Sequence, residues 1–358
     1  MIRRVIHDWE LRLAEVSRHE RRVRPFEWGD DWIDEAPILL PAGTPPPSSP
    51  RDRVAAWVQR VMADTHAFYT PAPTTDYEFT PEASPGEGAS LIYPSGYTTP
   101  HPENNVVYAR YFPADPLVKR RGGTARARRA VVVLPQWNAD ADGHVGLCRL
   151  LAKIGIASIR ISLPYHDRRR PTELVRADYL VSSNIVRTLQ VCRQAVRDVR
   201  LALWWLRDQG YERLGLLGTS IGSCLAMLTA CHEPLVKAQA LNHVSPYFGD
   251  VVWRGLSTEH VRRGLDGHVA CEDLRDLWAP ISPWSFLDRI PDLATLMVYA
   301  RYDLSFPVDL SRALIEEWRR RGLPLKVRVL PCGHYTTGAA PFKYLDAWYL
   351  GRFLAQRL

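Results

Sequence analysis

Residues 130–134 read AVVVL, an unbroken and largely β-branched run with no polar alternation, which as a strand must be covered on both faces. Comparable runs recur at 156–163, 214–217, 238–244, 295–300 and 326–330, and segments of helical period lie between nearly all of them. The clearest helical stripe passes through Ile185, Leu189, Cys192, Val196, Val199, Leu203 and Leu206, the face of a helix laid on a sheet. This alternation predicts an α/β fold, a mostly parallel sheet joined by right-handed crossovers and covered by helices. Upstream, 77–80, 89–93 and 106–112 are short extended stretches between Pro and Gly turns, as expected of an antiparallel edge.

Two segments fall outside that rhythm. Residues 1–75 read as a helical extension ahead of an α/β domain at 76–358. In the extension Ile2, Ile6, Trp9, Leu13 and Val16 draw one apolar stripe, a Pro/Ser linker follows at 43–50, and Val54, Trp57, Val58, Val61 and Phe68 draw a second. Packing helices are the plain expectation and a partner-binding arm the alternative. Residues 245–290 insert about 45 residues between two strands where a simple connection needs far fewer, so a helical lid is expected there. Its aromatics, Tyr247, Phe248, Trp253, Trp278, Trp284 and Phe286, either line a pocket mouth or pack the insertion.

Composition removes several function classes. The chain has 358 residues, 46% of them hydrophobic, and no apolar run approaches the roughly 18 residues that cross a bilayer. The start, MIRRVIHDWELRL, is charged too early for a signal peptide and points to the cytoplasm. Six scattered cysteines form neither a zinc knuckle nor a disulfide framework. The net charge of +7 rests largely on arginine, and its densest run, 119–129, reads as a solvated loop because no aromatics interleave and no nucleic-acid motif accompanies it.

The strand at 214–217 runs straight into Gly218-Thr219-Ser220-Ile221-Gly222, and a helical pattern begins at once. A serine hydroxyl is a poor nucleophile unless held exposed beside a base, and a sharp strand-to-helix turn holds it so at the cost of backbone strain. With glycine at 22 positions and 18 serines, chance supplies the GxSxG pattern about 0.07 times per chain, before any demand on its flanks. A glycine-rich packing turn is the bland alternative. A serine so placed needs a histidine base and an acid to orient it, each in a loop after a later strand. Asp303 lies just beyond the strand at 295–300 and His334 just beyond the strand at 326–330. Asp309, at a helix start, is the rival acid. Gly333 suggests a loop able to approach the serine. His101, His144, His166, His232, His243, His260 and His268 are expected to be surface or hydrogen-bonded residues.

A tetrahedral oxyanion needs two N–H donors. The backbone N–H of Ile221, at a helix N-terminus, is one. The other must come from Pro135-Gln136-Trp137-Asn138, where proline has no N–H, which leaves Gln136 or Trp137, with Gln136 preferred. Asp140, Asp142 and His144, with His166 and Asp167, are spaced like metal ligands, but before an apolar helix they read better as a capped loop.

On these residues the chain resembles α/β-hydrolase fold serine hydrolases over roughly 77–358. The PQWNADADGH loop and the LPYHDRR strand end resemble poorly characterised bacterial members on the dienelactone hydrolase and acetyl xylan esterase side. The resemblance implies a triad of Ser220, Asp303 and His334, oxyanion donors Gln136 and Ile221, carboxylic-ester hydrolysis through an acyl-enzyme, a small-molecule ester as substrate, and neither cofactor nor metal. The HGGG loop of many lipases is replaced by Pro135-Gln136-Trp137-Asn138, dienelactone hydrolases carry cysteine where this chain has Ser220, and residues 1–75 have no counterpart in minimal members. Thioesterase, peptidase or acyltransferase variants, and a non-catalytic relative that binds partners through its arm and arginines, are the alternatives.

Overall fold

A computed structural model describes residues 2–34, 48–115 and 127–358, so most of the 43–50 linker and of the basic run 119–129 lies outside the described residues. The extension carries α1 (Ile2–Val16), α2 (Pro50–Ala63) and α3 (Thr65–Tyr69). Strands β1 (Glu78–Thr80), β2 (Ala89–Pro94) and β3 (Val106–Phe112) follow, then β4 (Arg129–Leu134), α4 (Val145–Lys153), β5 (Ala157–Ile161), α5 (Ile185–Asp208), β6 (Arg213–Thr219), α6 (Ile221–His232) and β7 (Val236–Asn242). The insertion holds α7 (Phe248–Arg254), α8 (Glu259–Leu265) and α9 (Cys271–Leu277), and the chain finishes β8 (Ala294–Ala300), α10 (Val308–Arg320), β9 (Leu325–Leu330) and α11 (Phe342–Arg357).

These strands form one sheet in the order β1-β2-β3-β5-β4-β6-β7-β8-β9. Pairings from β1 through to β5 are antiparallel, and β5, β4, β6, β7, β8 and β9 run parallel. The mixed sheet is the expected α/β architecture, with the antiparallel edge where the Pro and Gly turns placed it.

β4 shows why its sequence has no polar alternation. Val131 and Val133 pack with Cys148, Leu151, Leu350 and Leu354 of α4 and α11, while Val132 and Leu134 join α5 and α6 on the other face. The seven-residue stripe of α5 is buried throughout. So are Gln190, Arg193, Gln194, Asp198 and Arg200 on its other sides: the extension covers Gln190, Arg193 and Arg200, while the loop between β2 and β3 holds Gln194 and Asp198. Ile185 N and Val186 N donate to Glu27 O and Trp28 O, and Arg193 Nε donates to Phe68 O at 2.7 Å. Arg169 and Asp198 form a fully buried ion pair at 2.8 Å.

One expectation changes, and one pair of alternatives is resolved. α1 forms, but Ile2 and Val16 are 68% and 72% exposed, and its buried residues are Ile6, Glu10 and Ala14. The inward face therefore centres on a carboxylate. The 245–290 insertion is helical as expected, and its aromatics divide between two tasks: Trp278 and Phe286 are fully buried, while Tyr247 and Phe248 face a cleft. Among the described residues all six cysteines are free thiols, and no helix is long and apolar enough to cross a membrane.

Asp346 of α11 lies beneath the sheet, its Oδ2 accepting from Asn242 Nδ2 at 2.8 Å. Among the described residues its Oδ1 has no partner, and burial pushes the carboxyl up to about 7. The folded chain thus keeps a proton that the unfolded chain releases from about pH 4 upward, so stability falls as pH rises across roughly 4 to 7. Asp346→Asn removes that loss. Its melting temperature relative to wild type is expected to climb between about pH 5 and pH 8, and a difference independent of pH would contradict the assignment.

Candidate functional site

β6 ends at Thr219 and α6 begins at Ile221, so Ser220 alone makes the turn between them, at φ 58° and ψ −122°. A side chain rarely adopts this conformation, and it persists where the surroundings fix it. Ser220 N donates to Asn242 O at 2.8 Å, and Ser223 N donates back to Ser220 O at 2.9 Å. A Cβ on Gly218 would stand 2.2 Å from Gly222 O, and one on Gly222 would stand 2.2 Å from Leu134 O, so neither glycine can be replaced without moving backbone. The turn packs this closely against the end of β4.

Asp303 follows β8 and His334 follows β9, at the same edge of the parallel strands as Ser220. His334 Nδ1–H donates to Asp303 Oδ2 at 3.1 Å. The same oxygen accepts from His243 Nδ1–H at 2.8 Å, and the two imidazole centroids are 4.2 Å apart. The other carboxylate oxygen accepts from Ser305 N and Phe306 N at 2.8 and 2.6 Å. Burial alone would raise the Asp303 pKa, but the His334 charge and the hydrogen bonds from both imidazoles hold it well below the usual carboxylate range. For His334 burial works downward, and the charge and hydrogen bond of Asp303, with Glu10 behind, reverse it and leave the ring more basic than usual. Burial and the His334 charge lower the His243 pKa, so His243 serves as a neutral donor.

The Phe306 ring stacks on His334 at 5.3 Å and also lines a narrow apolar cleft with Ser220. Among the described residues neither the Ser220 hydroxyl nor His334 Nε2 has a hydrogen-bond partner. Trp137, Ile221, Cys224, Tyr247, Phe248, Val251 and Val252 complete most of the wall, and the free volume is about 50 Å³.

The loop after β4 is fastened from outside. Asn138 takes φ 59°, donates its N–H to His166 Nε2 at 2.8 Å and accepts from Ala177 N at 2.8 Å, while Trp137 Nε1 donates to Ala177 O. His166 Nδ1–H donates to Pro164 O, which fixes its tautomer, and burial lowers its pKa to about 4. Arg160 ties Asp140 O and Gly143 O to the Asp167 carboxylate. The PQWNADADGH and LPYHDRR segments therefore form one scaffold. Among the described residues the backbone N–H groups of Gln136 and Ile221 have no acceptor, and both belong to segments that abut at Gly222.

Of the expected residues, Ser220, Asp303, His334, Ile221 and the Gln136 loop gather at one sheet edge, while Asp309 points elsewhere and holds Arg254 at 2.8 Å. Asp140, Asp142 and His144 do not converge: Asp142 pairs with Arg110, and His144 Nε2 meets Thr219 Oγ1 at 2.9 Å. Among the described residues the group spaced for a metal is His243, Asp303 and His334. Both histidines already commit Nδ1–H to Asp303, so an ion there would have to displace both protons. His243 and Glu10 are residues that pattern reasoning missed.

The family model described as alpha/beta hydrolase domain containing 18 matches residues 138–247, from the loop after β4 through the Ser220 turn to just past His243. The acetyl xylan esterase 1 of Thermoanaerobacterium sp. JW/SL YS485 superposes with a TM-score of 0.58 at 14% identity, over 96% of this chain and 98% of its own. The chain has the α/β-hydrolase fold. The acetyl xylan esterase of Paenibacillus sp. R4 gives a TM-score of 0.61 at 15% identity over 84% and 94% of the two chains. An acylaminoacyl peptidase of Pyrococcus horikoshii gives 0.57 at 14% identity, over 79% of this chain but 42% of that longer one. No curated protein matches the sequence significantly. At these identities the superpositions carry the fold and leave the chemistry to the site.

Proposed function

We propose that the chain is a serine hydrolase of carboxylic esters that works through an acyl-enzyme on Ser220. The observation that carries this reading is a serine held in a strained strand-to-helix turn on an apolar cleft, whose Phe306 wall stacks on a histidine that a buried carboxylate engages through Nδ1. His334 Nε2 takes the Ser220 proton as Oγ attacks the ester carbonyl, and substrate binding must bring Oγ and Nε2 into hydrogen-bond reach. The Ile221 and Gln136 N–H groups receive the oxyanion. His334 then protonates the departing alkoxide, and a water activated by the same imidazole releases the acid and restores Ser220. Asp303 fixes the imidazole tautomer and offsets its transient charge.

A free volume of about 50 Å³ favours a short acyl group. In a p-nitrophenyl ester series, acetyl to butyryl esters are expected to turn over fastest and esters of eight carbons or more at least about tenfold slower. A fluorophosphonate should label the wild type on Ser220 alone. Labelling that survives Ser220→Ala unchanged would remove this serine from the reading. Because the base must be neutral, kcat/KM should rise with pH through a midpoint above the ordinary histidine value of 6.5.

A further inference from the structure

Glu10 is the one charged residue on the buried face of α1, and it is fully buried. Its Oε2 accepts from Tyr335 N at 3.0 Å, and its Oε1 accepts from Thr336 N at 2.7 Å and from the Thr336 hydroxyl at 2.8 Å. The Thr336 oxygen in turn accepts from Gly333 N at 2.8 Å. One carboxylate therefore fixes the backbone on both sides of His334. A Cβ on Gly333 would stand 2.3 Å from the Glu10 Cδ, so the glycine before His334 is required by the carboxylate, not by an approach to the serine.

Burying a carboxylate is costly unless its hydrogen bonds are filled. These three bonds fill them, but among the described residues no hydrogen-bonding partner of Glu10 is a cation. The residue that gains positive charge beside it is His334, when the imidazole takes up a proton. We propose that Glu10 is a positioning residue for His334, its buried carboxylate clamping the turn that carries the imidazole. This rests on the serine-hydrolase reading for its consequence in catalysis. The groups facing the ring are Asp303 from the loop after β8, His243 from the end of β7, Glu10 from α1, and the adjacent Tyr335, whose hydroxyl accepts from Arg21 at 3.0 Å. Of the two carboxylates, Asp303 bonds the ring and Glu10 bonds the amides of the two residues that follow it; both favour the charged imidazole.

The test uses the full chain and p-nitrophenyl acetate, with kcat and KM measured across pH. Glu10→Gln keeps the size, removes the charge and turns an amide N–H toward a backbone donor. It is expected to lower kcat by about tenfold to a hundredfold with KM little changed, and to shift the acid limb of the profile to lower pH. Glu10→Asp keeps the charge and should leave the limb near its wild-type midpoint while losing part of kcat. A folded Glu10→Gln with wild-type kcat and an unmoved limb would overturn the proposal. NMR titration of the His334 ring reads the same coupling without turnover: its midpoint should fall in Glu10→Gln, and an unchanged midpoint overturns the proposal even if the wild type hydrolyses no ester. An inactive, unlabelled wild type would instead count against the hydrolase reading alone. Should Glu10→Gln fail to fold, Thr336→Ala, which keeps the charge and breaks the link to Gly333, should lower kcat at unchanged KM, and wild-type kcat there overturns the clamp.

Discussion

Ser220→Ala is expected to lower kcat by about 10⁴-fold or more, with a melting temperature near that of the wild type. The two halves of this outcome have separate causes. Without Oγ no acyl-enzyme forms, and the two N–H donors and the cleft can stabilise only a direct attack by water. Stability should change little because, among the described residues, the hydroxyl has no hydrogen-bond partner to lose. Alanine must still occupy φ 58°, but it inherits the conformation that serine already tolerates, held by Asn242 O and by the contact of Gly222 with Leu134. Steady-state ester hydrolysis, with thermal denaturation as the control for folding, checks both halves. Turnover within about tenfold of wild type in a folded Ser220→Ala would place the chemistry elsewhere.

The parts of the site legible in the sequence each rest on a local rule. Gly218 and Gly222 signal close backbone approach, Ile221 follows from the helix start, and Asp303 and His334 stand immediately beyond strands whose apolar runs are unmistakable. The sheet was legible for the same reason, since AVVVL at β4 can only be covered on both sides. The missed residues depend on partners remote in sequence. Glu10 looks like a solvent-facing charge on an amphipathic helix, because the apolar stripe from Ile2 to Val16 points to a different face. Its donors lie more than 300 residues away, and no periodicity records them. His243 was hidden by its neighbour: Val244 extends the apolar run, whereas β7 stops at Asn242 and His243 turns at φ 61° to bring its ring to Asp303. The buried Gln190, Gln194 and Asp198 of α5 were obscured in the same way, since a stripe predicts one inward face and says nothing of the extension that covers Gln190 or of the 95–105 loop and Arg169 that hold Gln194 and Asp198.

Asp303→Asn should be nearly as damaging to turnover as loss of the serine, and unlike it should also cost stability. In the wild type one carboxylate satisfies four donors, with Oδ1 facing the Ser305 and Phe306 amides and Oδ2 facing the imidazoles of His243 and His334. An amide has only one oxygen, so its NH₂ must face either two backbone N–H groups or two imidazole N–H groups. If the oxygen stays with the backbone, each imidazole must move or give up its Nδ1 proton, and a His334 protonated on Nε2 cannot accept from Ser220. If the oxygen turns to the imidazoles, two buried amides lose their acceptor, at about 1–3 kcal/mol each. The expected result is a loss of about 10³- to 10⁴-fold in kcat and a melting temperature lower by several degrees. The pH dependence separates this from general loosening. Removing the negative charge withdraws what raises the His334 pKa, so the acid limb of whatever activity remains should move to lower pH. His243→Gln, which deletes one donor and leaves the Asp303 to His334 bond in place, should cost far less kcat than Asp303→Asn. Equal losses in the two variants would mean that the carboxylate orients His334 only through the ring of His243 packed beside it.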